Sequence, residues 1–321
     1  MLISIGTHDY NSKDAKDISF THEIPGGDMS ATFVITSPSG QDIDLFDKVV
    51  IYDGGYTSPV WQGFVISVDW TATKTKIECA GWNARFAHLV TEDTIYLDNE
   101  KASTFIVDHI ISNFYDIIQE TIIDTSDSVI PKKREYQAGQ TYRAILDDVA
   151  SLAGYTWYIR GRSFYFGPFS DYTIYRIPTT IFIPKSADVT EYANRVAYSY
   201  RNNMTVTHGY VSDVDTTYPT KTIYKPFGDI DGTTAEAAAL AVLNIAKEPT
   251  GIGDITVDYL TDVFGTPVSL SSVMPGCKII VRGKKYRLSK TEYSHDTRRL
   301  TVSPTPLIPV TFTSLLAQVG S

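Results

Sequence analysis

The side chains able to do chemistry are scattered along this chain. It holds six histidines and two cysteines, and none falls into the spacing of a catalytic or metal centre. There is no G-x-S-x-G elbow, no H-E-x-x-H pair, no Walker A loop, no G-x-G-x-x-G after a strand and no paired C-x-x-C. Asp229–Thr234, DIDGTT, has part of a calcium-loop pattern but lacks the full ligand set, and Thr233 reads as a helix cap. Asp147 and Asp148 are adjacent in a helical stretch, where neighbours point apart, so a solvated face is expected and not a shared proton. His295–Asp296 falls in a predicted hairpin turn. Arg298–Arg299 beside it reads as a solvated edge, with contact to a neighbour or a phosphate as the other reading. His109 lies on the apolar stripe of a helix, the place of a core or boundary histidine. Cys79 and Cys277 both fall in predicted strands and read as buried thiols, not as a disulfide or metal pair. The expectation is no catalytic residue, no cofactor-binding residue, no metal ligand and no cofactor.

Composition narrows the function class. The 321 residues suffice for two or three cores. The net charge of −9 lacks the cationic footprint of a tight nucleic-acid binder, because that affinity comes from Lys and Arg on phosphate. Weak passage of DNA past an acidic wall is compatible with it. The opening MLISIGTHDYNSKD has no basic n-region and no long apolar h-region, so a secretory leader is not expected. No membrane anchor is expected either, since no window holds about 18 uninterrupted apolar residues. Folding in a reducing cytoplasm is expected. The 21 tyrosines against four tryptophans suit strands and interfaces alike.

The elements follow from periodicity. Residues 1–93 read as all-β. Lys48–Tyr52 is a short strand, 53–59 is turn material, and Phe64, Ile66, Val68 and Trp70 alternate with polar neighbours as one half-buried strand face. Lys76 to Ala80 completes an antiparallel meander. From 94 the period becomes helical. Phe105, Ile106, His109, Ile110, Phe114 and Ile117 form a stripe behind a Ser103 N-cap. Residues 125–140, with Pro131, read as a loop. Tyr142, Ile145, Leu146, Val149 and Leu152 mark a second helix ending at Gly154, and a hairpin comes next over 155–168. Strands return after 175, at 173–178, 180–184 and 194–211. A helix over 233–247 is capped by Thr233 with Glu236 and ended by Pro249. The chain then reads as a strand at 254–260, a closing three-strand unit to Pro304, and an apolar tail over 306–321. That closing unit repeats the first. Lys48-Val49-Val50-Ile51 matches Lys278-Ile279-Ile280-Val281, Gly54 falls near Gly283, and the two long middle strands and third strands correspond. Two similar β domains are implied, and three chains in a closed ring would present six similar units.

In this order and spacing the segments resemble the baseplate hub, or tail-tip hub, proteins of bacteriophage tails. This family includes late control gene D proteins, and the base of type VI secretion spikes is related to it. The segments are PGCKIIVRGKKYRLSKTEYSHDTRRLTVSP, REYQAGQTYRAILDDVASLAGYTWYIRGRSFYFGP and DKVVIYDG … VWQGFVISVDW … IECAGWNARF. The likeness spans about 45 to 305. It implies a mainly β fold in which two tube-type antiparallel β-barrels, 1–93 and 176–305, flank a helix-helix-hairpin module at 94–175. The helix near 233–247 is then an insertion and 306–321 a C-terminal tail. It implies a homotrimer at the end of a sixfold tail tube, touching a distal tail or tube protein, a tape measure protein and a spike or fibre. DNA would pass without specific binding, in a virion assembled in the host cytoplasm. No appended lysozyme-like or peptidase segment is expected, so a cell-wall hydrolase activity is not carried over. The alternatives are a carbohydrate-binding tail module and, behind it, a cell-wall hydrolase.

Overall fold

The structure is a computed structural model that describes residues 1–306 except 37–41, 55–58, 131–132, 170–172, 179–180, 184, 188–191, 203–204, 214–219, 230 and 247–249. Pro131, Pro249 and the tail from Leu307 lie outside the described residues. The chain is mainly β. Strands β1 (Leu2–Ile5), β2 (His8–Asn11), β3 (Ala15–Glu23), β4 (Gly26–Ile35), β5 (Lys48–Tyr52), β6 (Pro59–Trp70) and β7 (Thr75–Gly81) form an antiparallel sheet in the order β2-β1-β5-β6-β7-β4-β3. Alternation puts Ile18, Phe20, Ala31, Phe33, Ile77 and Cys79 on its buried face.

On β6 the expected alternation fails for a local reason. A bulge between Val65 and Ser67 lets one extra residue into the strand and flips the faces of the residues beyond it. Val65 and Val68 therefore reach the core, while Phe64 points to the opposite face, against Phe46 and Trp82, and Ile66 is exposed.

The middle of the chain has its own core. Its elements are α1 (Ala84–His88), β8 (Ile95–Leu97), β9 (Glu100–Lys101), α2 (Ala102–His109), β10 (Glu120–Ile123), β11 (Val129–Ile130), β12 (Arg134–Tyr136), α3 (Tyr142–Ala153), β13 (Thr156–Arg160) and β14 (Ser163–Gly167). Phe86, Phe105, Phe114, Trp157, Phe164 and Phe166 are fully buried at its centre. The expected stripes are all buried except His109, which is half-buried against the Phe105 ring. Three expectations change. The helix ends at His109, with one 3-10 turn at Ile111–Asn113 after it, so Phe114 and Ile117 are buried from outside the helix. Ser103 does not cap α2. It is the second helical residue, and Asp127 caps the helix from outside by accepting from Ser103 N (3.0 Å) and Oγ (2.7 Å). The stretch around Asp127 is also more than a loop. Strands β11 and β12 pair with β9 and β8, and β10 lies parallel to β14.

Helix α3 matches its pattern closely. Thr141 caps it by accepting from Ala144 N, and Gly154 ends it at φ +70 while Tyr155 N donates to Ala150 O. A β-carbon in that left-handed conformation costs about 1–2 kcal/mol. Gly154→Ala is expected to lose that much in urea unfolding with an unchanged denaturant slope, and an unaltered midpoint would contradict the cap.

The last third contains β15 (Ile174–Arg176), β16 (Lys185–Ala187), β17 (Arg195–Asn202), β18 (Thr205–Ser212), β19 (Thr222–Asp229), α4 (Gly232–Ala246), β20 (Thr250–Ile252), β21 (Ile255–Val257), β22 (Thr261–Asp262), β23 (Lys278–Val281), β24 (Lys284–Ser294) and β25 (Arg299–Pro306). Ile181–Ile183, expected as strand, are not in one. The insertion is larger than the expected helix. β18-β17-β19 make a separate sheet, and Ala235, Ala238, Ala239 and Leu243 of α4 pack on Val196, Tyr198, Val211 and Phe227. Asp231, not Thr233, caps that helix, accepting from Thr234 N at 3.0 Å. The Thr234 hydrogen bonds hold its carboxyl below the usual carboxylate range.

The duplicated unit is real and wider than its sequence trace. β5-β6-β7 is extended by β1 and β4, and β23-β24-β25 by β15 and β21, giving the orders β1-β5-β6-β7-β4 and β15-β23-β24-β25-β21. Gly54 and Gly283 take φ +76 and +83 in the matching turns. Both middle strands also carry a bulge against the third. One pairing differs in kind, because β1 meets β5 antiparallel whereas β15 meets β23 parallel. In space the two units are not separated by the middle module. β24 pairs antiparallel with β3, and the buried row Val65–Cys79–Ala31–Phe20–Tyr293–Leu300–Val257 runs in register across both units. They share one core. Among the described residues the strand path is open, from β2 at one end to β22 at the other.

Candidate assembly site: the Asp28 junction and the open faces of the sheet

The first unit and the middle module meet at one buried carboxylate. Asp28 on β4 and His22 on β3 are each 1% exposed, with Asp28 Oδ1 2.9 Å from His22 Nδ1. Asp28 Oδ2 accepts from Gln62 N of β6 at 3.0 Å and from Gly161 N of the β13–β14 turn at 3.1 Å. Two strands of the first unit and the module's hairpin thus share one side chain. Beside it β13 runs parallel to the start of β4, with Tyr158 opposite Gly26 and Ile159 opposite Gly27. Position 27 requires glycine twice over: its φ is +97, and the Ile159 backbone leaves no space for a side chain.

A cavity of about 560 Å³ opens where this seam meets the second unit. Tyr158, Tyr165, Phe169 and Tyr175 line it, with Arg160 and Cys277. Tyr158 and Tyr165 stack at 4.6 Å, and Arg287 lies 4.1 Å over the Phe169 ring. Burial pushes the phenols of Tyr158 and Tyr175 and the Cys277 thiol up, so none is an activated nucleophile. The cavity lies where the middle module meets the second unit.

The residues singled out in the sequence are not brought together. Asp147 and Asp148 are half-buried with their side chains still reaching solvent, and each ties α3 to a different strand. Asp147 accepts from Trp157 Nε1 at 2.8 Å, and Asp148 accepts from the Tyr136 hydroxyl at 2.8 Å. His295 and Asp296 form the β24–β25 turn, which docks on the first unit. Asp296 accepts from Asp17 N at 2.6 Å, and His295 N donates to Ile18 O. Burial lowers the His295 pKa. Arg298 and Arg299 are exposed. Cys79 is buried in the shared core, and burial pushes its thiol up. Among the described residues no three His, Cys, Asp or Glu side chains are grouped to hold a metal ion. Sequence reasoning misses Asp28, whose only local signal is the pair of glycines before it.

Asp147 makes a pH prediction. Burial holds its carboxyl above the usual carboxylate range, while the Trp157 bond and Arg143 pull it down. The native state therefore holds the proton more tightly than the unfolded chain does. Between the unfolded and folded pKa values its contribution to stability falls as pH rises. Asp147→Asn keeps an oxygen for Trp157 and cannot titrate. Its melting temperature is expected to gain on the parent's as pH rises from the acid side of that window to neutrality. Parallel curves in calorimetry would mean that Asp147 titrates alike in both states.

The other face of the shared sheet is polar. Two rows cross it in register. Ser67–Glu78–Thr32–Ser19–Ser294–Arg299 runs from β6 to β25, and Ala80–Ser30–Thr21–Glu292–Thr301–Thr256 runs from β7 to β21. Hydroxyls meet across strands, Ser19 to Thr32 at 2.9 Å and Thr256 to Thr301 at 3.0 Å. On the inserted sheet the face away from α4 carries Tyr210 opposite Ala197 and Ala197 opposite Tyr224, with Arg195 over the Tyr210 ring.

No family model and no curated protein matches this chain. Solved structures do. A tail protein from Neisseria meningitidis MC58 superposes with TM-score 0.70 at 12% identity, covering 97% of this chain and 98% of that one. The 43 kDa tail protein of prophage MuSo2 from Shewanella oneidensis gives 0.67 at 13% identity, covering 95% and 98%. The E. coli c3393 protein gives 0.55 at 11%, covering 96% and 77%. That protein is described as a type VI secretion component with structural similarity to the T4 tail proteins gp27 and gp5. The fold of this chain, over nearly its whole length, is that of phage tail proteins.

Proposed function

We propose that this chain is a structural protein of a phage virion, a baseplate or tail-tip hub. In this reading three copies close a ring that joins a sixfold tail tube to a threefold tip. One observation carries it: the five-strand unit occurs twice in a single continuous sheet, inside a fold shared end to end with phage tail proteins. Three chains then offer six similar units, so a threefold ring can meet a sixfold one. The division of labour is part of the proposal. Residues 1–93 and 176–305 supply the ring, 94–175 and the insertion decorate it, and the protein acts by shape, without catalysis. Adjacent tail proteins cap the ring above and below, and DNA passes through it.

The chain's mass in solution tests the assembly. A trimer weighs about 107 kDa, three times the 35.7 kDa chain. The expected result is a concentration-dependent step from monomer to trimer with no dimer plateau. A stable twofold dimer would contradict a threefold ring.

A further inference from the structure

We propose that the cavity between the middle module and the second unit is a binding site for a small aromatic acid, a flat ring carrying one carboxylate. The proposal stands apart from the hub reading and does not need three chains to assemble. Strand β13 shows which side chains belong to the site. Trp157 and Ile159 are buried in the core of the middle module. Alternation turns Thr156, Tyr158 and Arg160 to the opposite face, and all three line the cavity. Tyr165 of β14 stands opposite Tyr158 and lines it too. The wall across from this hairpin comes from Tyr175 of β15 and from the stretch Met274–Cys277. The volume of about 560 Å³ falls within the range of small-molecule sites, about 300–1,000 Å³.

Three features select the ligand. The first is fixed aromatic area. Tyr158 and Tyr165 stack at 4.6 Å with their planes 20° apart. The Tyr165 hydroxyl donates to Pro168 O at 2.9 Å, which holds that ring in place. Rings ordered in advance receive a flat partner at little entropic cost. The second is a buried hydroxyl with nothing to bond. Thr156 is 3% exposed, and its Oγ1 has no hydrogen-bond partner among the described residues. Buried side-chain polar atoms are in the large majority bonded, so this one marks a place for a polar substituent. The third is charge. Burial raises the phenols of Tyr158 and Tyr175, and the Arg160 guanidinium nearby works against that rise. Arg160 itself has no ion-pair partner among the described residues. Glu23 is the one carboxylate among the described residues of the lining, and Lys290 stands opposite it across β3 and β24. Arg160 is therefore the unbalanced charge of the site, and its planar fork matches a carboxylate. Thr156 and Arg160 lie on either side of Tyr158 along β13. A ligand that meets both lies across Tyr158, with its carboxylate and its polar substituent at opposite ends of the ring.

The test titrates the full chain with para-hydroxyphenylacetate in a calorimeter. The expected dissociation constant is about 0.1 to 1 mM, within reach of a ligand of this size. Para-hydroxyphenylacetamide, the neutral analogue, is expected to bind roughly tenfold more weakly, because it loses the charge-assisted bond. Arg160→Gln is expected to erase that difference by weakening the acid alone. Arg160 is exposed, so this variant is expected to melt with the parent. Phenylacetate, which lacks the hydroxyl, is expected to bind the parent several-fold more weakly than the hydroxy acid. Thr156→Val is expected to bind the two acids alike. No binding by the parent up to about 10 mM, far above the expected constant, overturns the proposal. Equal affinity of the parent for the acid and the amide overturns it too. So does an acid affinity left unchanged by both substitutions, which would put the ligand elsewhere on the chain. None of these outcomes bears on the hub reading.

Discussion

Gly27→Ala is expected to be among the most damaging single-methyl changes in the chain. A β-carbon there lies 2.7 Å from both the amide nitrogen and the carbonyl carbon of Ile159, and closer still to its oxygen. All three atoms are backbone of a paired strand, so none can swing away. The residue also sits at φ +97, which L side chains rarely adopt. Relief requires β13 to part from β4, and with it the turn that donates Gly161 N to Asp28. The expected loss is about 4 kcal/mol or more, in the range reserved for backbone and core disruption, or about 10 °C in melting temperature. Limited proteolysis is expected to open the 156–167 hairpin before the β3–β24 seam. A variant that melts within a degree or two of the parent would mean that this strand pairing is dispensable.

The second large effect is at Asp28, and two substitutions there separate geometry from charge. Asp28→Ala leaves the amides of Gln62 and Gly161 without acceptors and His22 without a partner, all in a buried place. Each orphaned donor costs about 1–3 kcal/mol, so the three together cost about 3–9 kcal/mol. Asp28→Asn can present its oxygen to both amides. Its NH2 then faces His22 Nδ1, which forces the ring proton onto Nε2, an atom with no hydrogen-bond partner. That places the cost for Asn at about 1–2 kcal/mol. The order parent, Asn, Ala in urea midpoints is the expected outcome. An Asn variant as unstable as Ala would show that the carboxylate's charge, and not its two acceptor positions, holds the junction.

These two residues also mark where sequence reading stops. Helix α3, its Gly154 end, the hairpin after it and both three-strand meanders are written in local periodicity, and they are present as expected. The β3–β24 seam joins residues about 270 apart, and no local pattern names a partner at that distance. The parallel step of β13 onto β4 is equally silent, because Gly26-Gly27 reads as turn material and not as a place for a strand to land. Asp28 looks like a turn residue until two remote amides arrive. On β6 a single bulge residue reverses the faces of Phe64 and Ile66. Local pattern puts the cap of α2 on Ser103, because the true cap, Asp127, lies outside the helix's own sequence. The insertion is legible as a helix, since alanines declare themselves, but its sheet is not, since strands do not say which sheet they join.

The position of the chain in a particle is the central claim. Electron microscopy of a purified tail carrying this protein measures it directly. The expected map has three copies in a closed ring at the tail's end. In it the two five-strand units alternate around six positions. A chain found singly on the outside of the tail, or in a ring of another symmetry, would contradict it.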